Sequence, residues 1–178
     1  MTWIAFLMLF GAFSLQSFCG IEAKSEETVD AFQAAESLPE VVLLAATAEI
    51  PCLECVTADL TALDPSQKSV TYTWHMRGPN GQAQMDIPLT FNISKESPDM
   101  GVAYINSRNS DTRYQVRGQA LYTDYESCLI GKLFFGPLEL CIQWVTPEVV
   151  SSVPDECAAA MEEECGEGVL LYKEDACK

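Results

Sequence analysis

Residues 69–76 read SVTYTWHM. Side chains alternate along a strand, so Val70, Tyr72, Trp74 and Met76 share one face, and Thr71, Thr73 and His75 the other. An apolar face set against a polar one is the pattern of a strand half-buried on a core. Similar segments lie on both sides of it. Short apolar or alternating runs occupy 41–49, 55–62, 84–91, 100–106, 113–122, 128–135 and 138–145. Turn residues separate them: Asp64-Pro65-Ser66, Gly78-Pro79-Asn80-Gly81, Ser97-Pro98-Asp99, Asn109-Ser110-Asp111, Asp124 and Gly136-Pro137. No break is long enough for a crossover helix, so neighbouring strands should pair antiparallel as a meander. Eight short antiparallel strands close naturally into a barrel, which removes exposed edges. The predicted fold is all-β with flanking helices, built on an eight-stranded antiparallel up-and-down barrel. Such a barrel either fills with side chains or holds one small ligand.

Two helical segments flank the strands. Residues 25–37, SEETVDAFQAAES, place Val29, Phe32 and Ala35 on one face, followed by Leu38, with Ser25 as the expected N-cap and Pro39 as the stop. Residues 151–165, SSVPDECAAAMEEEC, start with Ser152 as cap, Pro154 in the first turn, and Asp155 and Glu156 at the positive end of the dipole. Cys157, Met161 and Cys165 then share one face, predicted to pack on the barrel. A short apolar strand, Val169 to Tyr172, follows in the tail.

The chain has 178 residues and is 48% hydrophobic, enough for one globular domain with a real core. Residues 1–15 are almost wholly apolar and uncharged, and Ser17 and Cys19 stand where a signal peptidase needs small residues. The reading is a signal peptide over 1–19, with a second cut available after Ala23, and a barrel domain over 24–178. An uncleaved anchor would need roughly 20 apolar residues. The expected location is therefore extracellular. The net charge is −16, from 26 acidic and 10 basic residues. Such a chain repels phosphate backbones and anionic lipid, so neither nucleic acid nor membrane is an expected partner. The acidity serves solubility in a secreted fluid, or else attracts a cationic ligand.

Of eight cysteines, Cys19 falls in the signal segment, leaving Cys52, Cys55, Cys128, Cys141, Cys157, Cys165 and Cys177. Three bridges and a spare thiol is the simplest sum, but six cysteines pair in 15 ways and their spacing does not choose among them. The CxxC of Cys52 and Cys55 lacks two further ligands for a metal. Pro51 and Val56-Thr57 around it do not suit the helix start that a redox pair needs. No metal and no cofactor is expected. His75 is the only histidine, so a Ser-His or Cys-His pair has one candidate base, and no phosphate-cradling loop appears. The chain does not read as an enzyme. Asn92-Ile93-Ser94 is a glycosylation sequon, expected at the surface.

Several local words are specific: DAF at 30–32, ECV at 54–56, YTDYESC at 122–128, CIQWVT at 141–146, VPDEC at 153–157, EEEC at 162–165 and DACK at 175–178. Together they resemble the salivary lipocalins of ticks and other arachnids, the histamine-binding-protein-like family of secreted small-ligand scavengers. The resemblance spans nearly the whole chain after the signal and is most specific over 122–178. It implies a lipocalin-like barrel with an N-terminal helix and a disulfide-linked C-terminal helix. It also implies the pairs Cys55–Cys177, Cys128–Cys157 and Cys141–Cys165. Cys52 is then the free thiol, expected to form a Cys52-linked homodimer or a mixed disulfide with a small thiol; the rival readings are a buried, inert thiol and an exchange in which Cys52 replaces Cys55 in the bridge to Cys177.

The resemblance also bears on the ligand. Family members that bind amines carry an acidic residue after the cysteine matching Cys128, and a Glu two residues before the tryptophan matching Trp144. Here these positions are Leu129 and Ile142. A buried ammonium needs a carboxylate, so an amine is disfavoured. Glu139, three residues before Ile142, falls on the opposite face of its strand. Asp86 and Glu49 are the acidic strand residues left, and each also reads as a solvated outward residue. The aromatic set Tyr72, Trp74, Phe91, Tyr104, Tyr122, Phe134 and Phe135 suits an apolar pocket wall. The expected ligand-binding residues are Tyr72, Trp74, Asp86, Tyr104, Tyr122 and Trp144. Arg113 and Arg117, evenly spaced on one strand, either meet a ligand carboxylate or lie solvated outside. The expected function is sequestration of a host mediator, an apolar lipid or eicosanoid before a biogenic amine such as histamine or serotonin. The rival class is a protein-binding inhibitor of complement or of a receptor, with the barrel as scaffold.

Overall fold

The computed structural model describes residues 28–77, 84–106 and 113–177. The signal segment 1–19 and the cuts after residues 19 and 23 fall outside them. Alternation at 69–76 becomes strand β3 (Ser69–Met76), one of eight barrel strands. The others are β1 (Glu40–Ala46), β2 (Thr57–Asp64), β4 (Met85–Ile93), β5 (Met100–Asn106), β6 (Arg113–Thr123), β7 (Cys128–Phe135) and β8 (Leu138–Val145). Strands β2 to β8 pair antiparallel in sequence order. Strand β1 closes the barrel, pairing with β8 over Val42–Ala46 and with β2 over Glu40–Val42. The eight-stranded antiparallel barrel is therefore as expected. A ninth, two-residue strand, β9 (Val169–Leu170), pairs with β1 at Ala45–Ala46, where β1 has parted from β2.

The sequence pattern explains two separate cores. Inside the barrel lie Val41, Leu43, Ala58, Met76, Leu140, Ile142 and Trp144. On the outer face, Val42, Leu44, Cys128, Ile130 and Val145 are covered by helix α2 (Asp155–Cys165) through Cys157, Ala160 and Met161. The β1 run VVLLAA and the β8 run LCIQWV are buried at every position. That is why these runs lack the clean alternation of β3: one face meets the interior and the other meets helix or tail.

Bridges Cys128–Cys157 and Cys141–Cys165 bolt α2 onto β7 and β8. Cys55–Cys177 ties the terminal helix α3 (Glu174–Cys177) to the segment before β2. Ser152 is not the cap of α2. The N-cap position belongs to Pro154, which offers no side-chain acceptor, and Asp155 and Glu156 fill the first turn. The second predicted strand also starts late, at Thr57. Pro51–Leu53 form a 3-10 turn that ends at the extended Glu54, and Cys55 follows with a φ of 56°.

Helix α1 (Ala31–Ser37) closes one end of the barrel. Its N-cap is Asp30, whose Oδ1 accepts from the amides of Phe32 (2.9 Å) and Gln33 (3.0 Å). Ser25 lies outside the described residues, and residues 28–30 are not helical. Three turns on that end hold the helix. The Ala31 amide donates to Pro98 O at 2.9 Å, and the Asp30 amide to the Tyr125 hydroxyl at 3.0 Å. Lys68 places its ammonium 4.5 Å above the Phe32 ring. Phe32 and Ala35 pack on Val70 inside the barrel mouth.

Candidate ligand-binding site

A cavity of about 130 Å³ lies inside the barrel, between α1 and the aromatic middle of the sheet. Its wall is apolar, built from inward side chains such as Tyr72 and Trp74 of β3, Phe91 of β4, Leu133 of β7 and Trp144 of β8. Trp74 and Trp144 meet edge to face, with centroids 5.1 Å apart and planes at 66°. The Tyr72 hydroxyl donates to Leu38 O at 2.7 Å, with Ala35 O at 3.2 Å. Burial holds its pKa well above the usual phenol value. Tyr72 thus commits its hydroxyl proton to α1. Gly131 also faces the cavity, and a Cβ there would sit 2.7 Å from Gln119 O. Only glycine allows that approach of β7 to β6, beside the irregularity between Ala120 and Tyr122.

The candidate residues divide between the two faces. Tyr72, Trp74 and Trp144 line the cavity, and so do Leu129 and Ile142. Tyr104, Tyr122 and Asp86 do not. On β5 the inward places belong to Gly101 and Ala103, so Tyr104 faces out, 43% exposed, with the Arg113 guanidinium 4.0 Å above its ring. On β6 the irregularity after Ala120 switches the phase. Tyr122 therefore packs outside with Val42, Cys128 and Ile130 beside α2. Burial there, then Glu156 and Asp124, raises its pKa. On β4 the alternation Ile87, Leu89, Phe91 faces inward and turns Asp86 out, where Oδ1 lies 2.8 Å from His75 Nδ1. His75 Nε2 lies 2.9 Å from Asp59 Oδ2. Glu49 is exposed beyond β1, and Glu139 faces out and pairs with Lys132 at 2.9 Å. Arg117 stacks on outward Phe134 at 5.0 Å, so both arginines lie outside. Phe135 sits at the rim against Tyr114, centroids 5.6 Å apart.

Two cavity residues carry no signal in the sequence. Asp99, in the β4–β5 turn, and Gln119, on β6, meet at the α1 end, where Gln119 Nε2 donates to Asp99 Oδ2 at 3.0 Å. A turn Asp followed by a strand Gln 20 residues on has no spacing that announces a pair. Outside the barrel, a polar cleft of about 410 Å³ lies beside the Cys55–Cys177 bridge, near His75 and Arg77. Cys52 is exposed and unpaired, and Asn92 is exposed on β4. Among the described residues, no three His, Cys, Asp or Glu side chains converge as a metal site.

The sequence profile described as tick histamine binding protein matches residues 22–178. No curated protein sequence matches the chain. Among solved structures, the serotonin complex of AM182 is similar at 16% identity, with a TM-score of 0.60, covering 82% of this chain and 91% of that one. The LTBP1 Y114A mutant with leukotriene C4 is similar at 12% identity and a TM-score of 0.53, covering 82% and 88%. Japanin from Rhipicephalus appendiculatus bound to cholesterol is similar at 13% identity and a TM-score of 0.52, covering 78% and 95%. At these identities the likeness is one of fold.

Proposed function

The chain belongs to the tick histamine binding protein family, and from that premise we propose that it is a secreted binder that encloses a small apolar molecule and withholds it from its surroundings. The family and fold are ligand-binding, not catalytic. Related structures hold serotonin, leukotriene C4 and cholesterol, so the scaffold accommodates both amines and lipids. Leu129 and Ile142 carry the choice for this chain. Both face the cavity, at the two positions where amine-binding relatives are expected to place carboxylates. An ammonium between them would be buried unpaired, at a cost of several kcal/mol. An apolar ligand instead gains roughly 25 cal/mol for each Å² of surface it buries there. Three disulfides suit an oxidising, extracellular setting. Sequestration of a host mediator then needs only affinity.

Titration with the neutral dye N-phenyl-1-naphthylamine, followed by Trp74 and Trp144 emission, tests this. Saturable one-to-one uptake is expected. Histamine and serotonin should bind no tighter than about 10 µM, close to −7 kcal/mol. Submicromolar amine binding, or no uptake of the dye, would overturn the reading.

A further inference from the structure

We infer that the ligand enters the cavity through the side of the barrel, along a seam between β4 and β5, and that the Phe91 ring is the gate it displaces. This rests on the ligand-binding reading above and adds the route, which that reading leaves open. The seam is a break in the hydrogen-bonded wall. The β3–β4 ladder runs from Ser69–Asn92 to Met76–Met85, and the β5–β6 ladder from Met100–Gln119 to Asn106–Arg113. Between β4 and β5, among the described residues, only Asn92–Val102 and Ile93–Gly101 pair. From Phe91 back to Met85, and from Ala103 on to Asn106, no ladder joins the two edges. Pro88 lies midway along this length of β4 and has no amide proton to give, as befits an edge. Closing a barrel normally removes its edges. Here two short ones remain.

Phe91 stands at the head of the seam. It is the first β4 residue past the last pair, and its side chain faces inward and lines the cavity. A Cβ built on Gly101 would lie 3.4 Å from Phe91 Cδ1, and one on Gly118 would lie 3.4 Å from Phe91 Cε1. The ring therefore passes under β5 and reaches β6, over two positions that carry no side chain. Phe91 stays half-buried although it faces inward, and so does Ile87 further along the same row. The two ends of the barrel are better closed. At the α1 end the Asp30 amide donates to the Tyr125 hydroxyl at 3.0 Å, the Ala31 amide to Pro98 O at 2.9 Å, and the Tyr72 hydroxyl to Leu38 O at 2.7 Å. At the opposite end Leu53, Met76 and Leu140 are buried in the interior core. Opening either end breaks hydrogen bonds or exposes that core. Opening the seam turns one aromatic ring between edges that no ladder holds.

Stopped-flow mixing of N-phenyl-1-naphthylamine with the whole protein reads the association rate. Phe91→Ala should raise it about tenfold, as expected where a moving group gates entry. Phe91→Leu, a smaller change to the same wall, should move the rate in the same direction. Tyr125→Phe loosens α1, and Leu53→Ala loosens the opposite end. Both should leave the rate within about twofold, because association responds little to changes away from the route. Hydrogen exchange of the unliganded protein checks the seam itself. Residues 87–91 and 103–105 should exchange faster than 70–75 of β3, a strand paired on both sides. The inference falls if Tyr125→Phe or Leu53→Ala accelerates entry more than the Phe91 variants do. It falls too if those variants leave the rate unchanged, or if exchange along the seam is as slow as on β3. Failure of the dye to bind the wild type would instead remove the ligand-binding reading, and the route with it.

Discussion

His75 joins three strands by its side chain alone. It sits on β3, with Asp59 of β2 and Asp86 of β4 at its two ring nitrogens. The Asp86 hydrogen bond raises the imidazole pKa above its ordinary 6.5, partial burial opposes this, and Asp59 adds to the rise. In return, His75 lowers the Asp86 pKa from its ordinary 3.8. The two shifts give opposite pH limits. The raised imidazole stabilises the fold fully below 6.5, and its contribution is lost as pH rises through the folded value. The lowered carboxylate stabilises above 3.8, and its share is lost as pH falls through the folded value. All three side chains reach water, so the effect is small. Urea midpoints of wild type and His75→Ala should differ most between those two ordinary values and converge as pH rises past the upper one. A gap independent of pH would show that His75 acts by packing alone. The arrangement was half legible. Val70 to Met76 alternate so clearly that His75 had to face out, but Asp59 lies diagonal to it, opposite Thr73, and register is not written in either strand.

At the level of elements, α2 depends on its staples and on the face it buries. Cys141–Cys165 spans 24 residues of sequence and Cys55–Cys177 spans 122. On the chain-entropy account these are worth roughly 3–4 and roughly 5 kcal/mol. The double variant Cys141→Ala/Cys165→Ala should lower unfolding free energy in guanidinium by about 3 kcal/mol, and Cys55→Ala/Cys177→Ala by more. Helix α2 should survive the first change, because Cys128–Cys157 and the buried Ala160 and Met161 still hold it. The reverse order of cost would mean that native contacts, not chain entropy, set the value of each bridge. The helix face itself was readable from Cys157, Met161 and Cys165 at four-residue spacing. Its cap was not, since Ser152 looks like a cap and only the chain path shows that the helix starts after Pro154.

At the scale of the whole molecule, one thiol stands apart from the disulfide set. Cys52 is exposed in the 3-10 turn Pro51–Leu53. An oxidising fluid supplies disulfides to such a thiol, while the net charge of −16 on each copy opposes close approach of two chains. Purified protein should therefore carry a Cys52-linked dimer or a small-thiol adduct, with the dimer fraction rising with salt as repulsion is screened. Cys52→Ser should run as an unmodified monomer on a non-reducing gel. A wild-type monomer with its thiol intact by mass would refute this.

Strand number and closure could be read from the chain because alternation and turn residues act locally, one strand at a time. So could the apolar character of Leu129 and Ile142. The inward set was decided only in three dimensions. One irregularity in β6 moves Tyr122 from the cavity to the space under α2, because a strand's period of two turns any single-residue shift into a change of face. Tyr104 and Asp86 were legible in principle, since Gly101 and Ala103, and Ile87, Leu89 and Phe91, hold the inward phase of their strands. What no local pattern contains is the meeting of a turn with a strand. Asp99 and Gln119 come together because β5 pairs with β6 in the register that sets Met100 against Gln119, and neither strand's own pattern states that register.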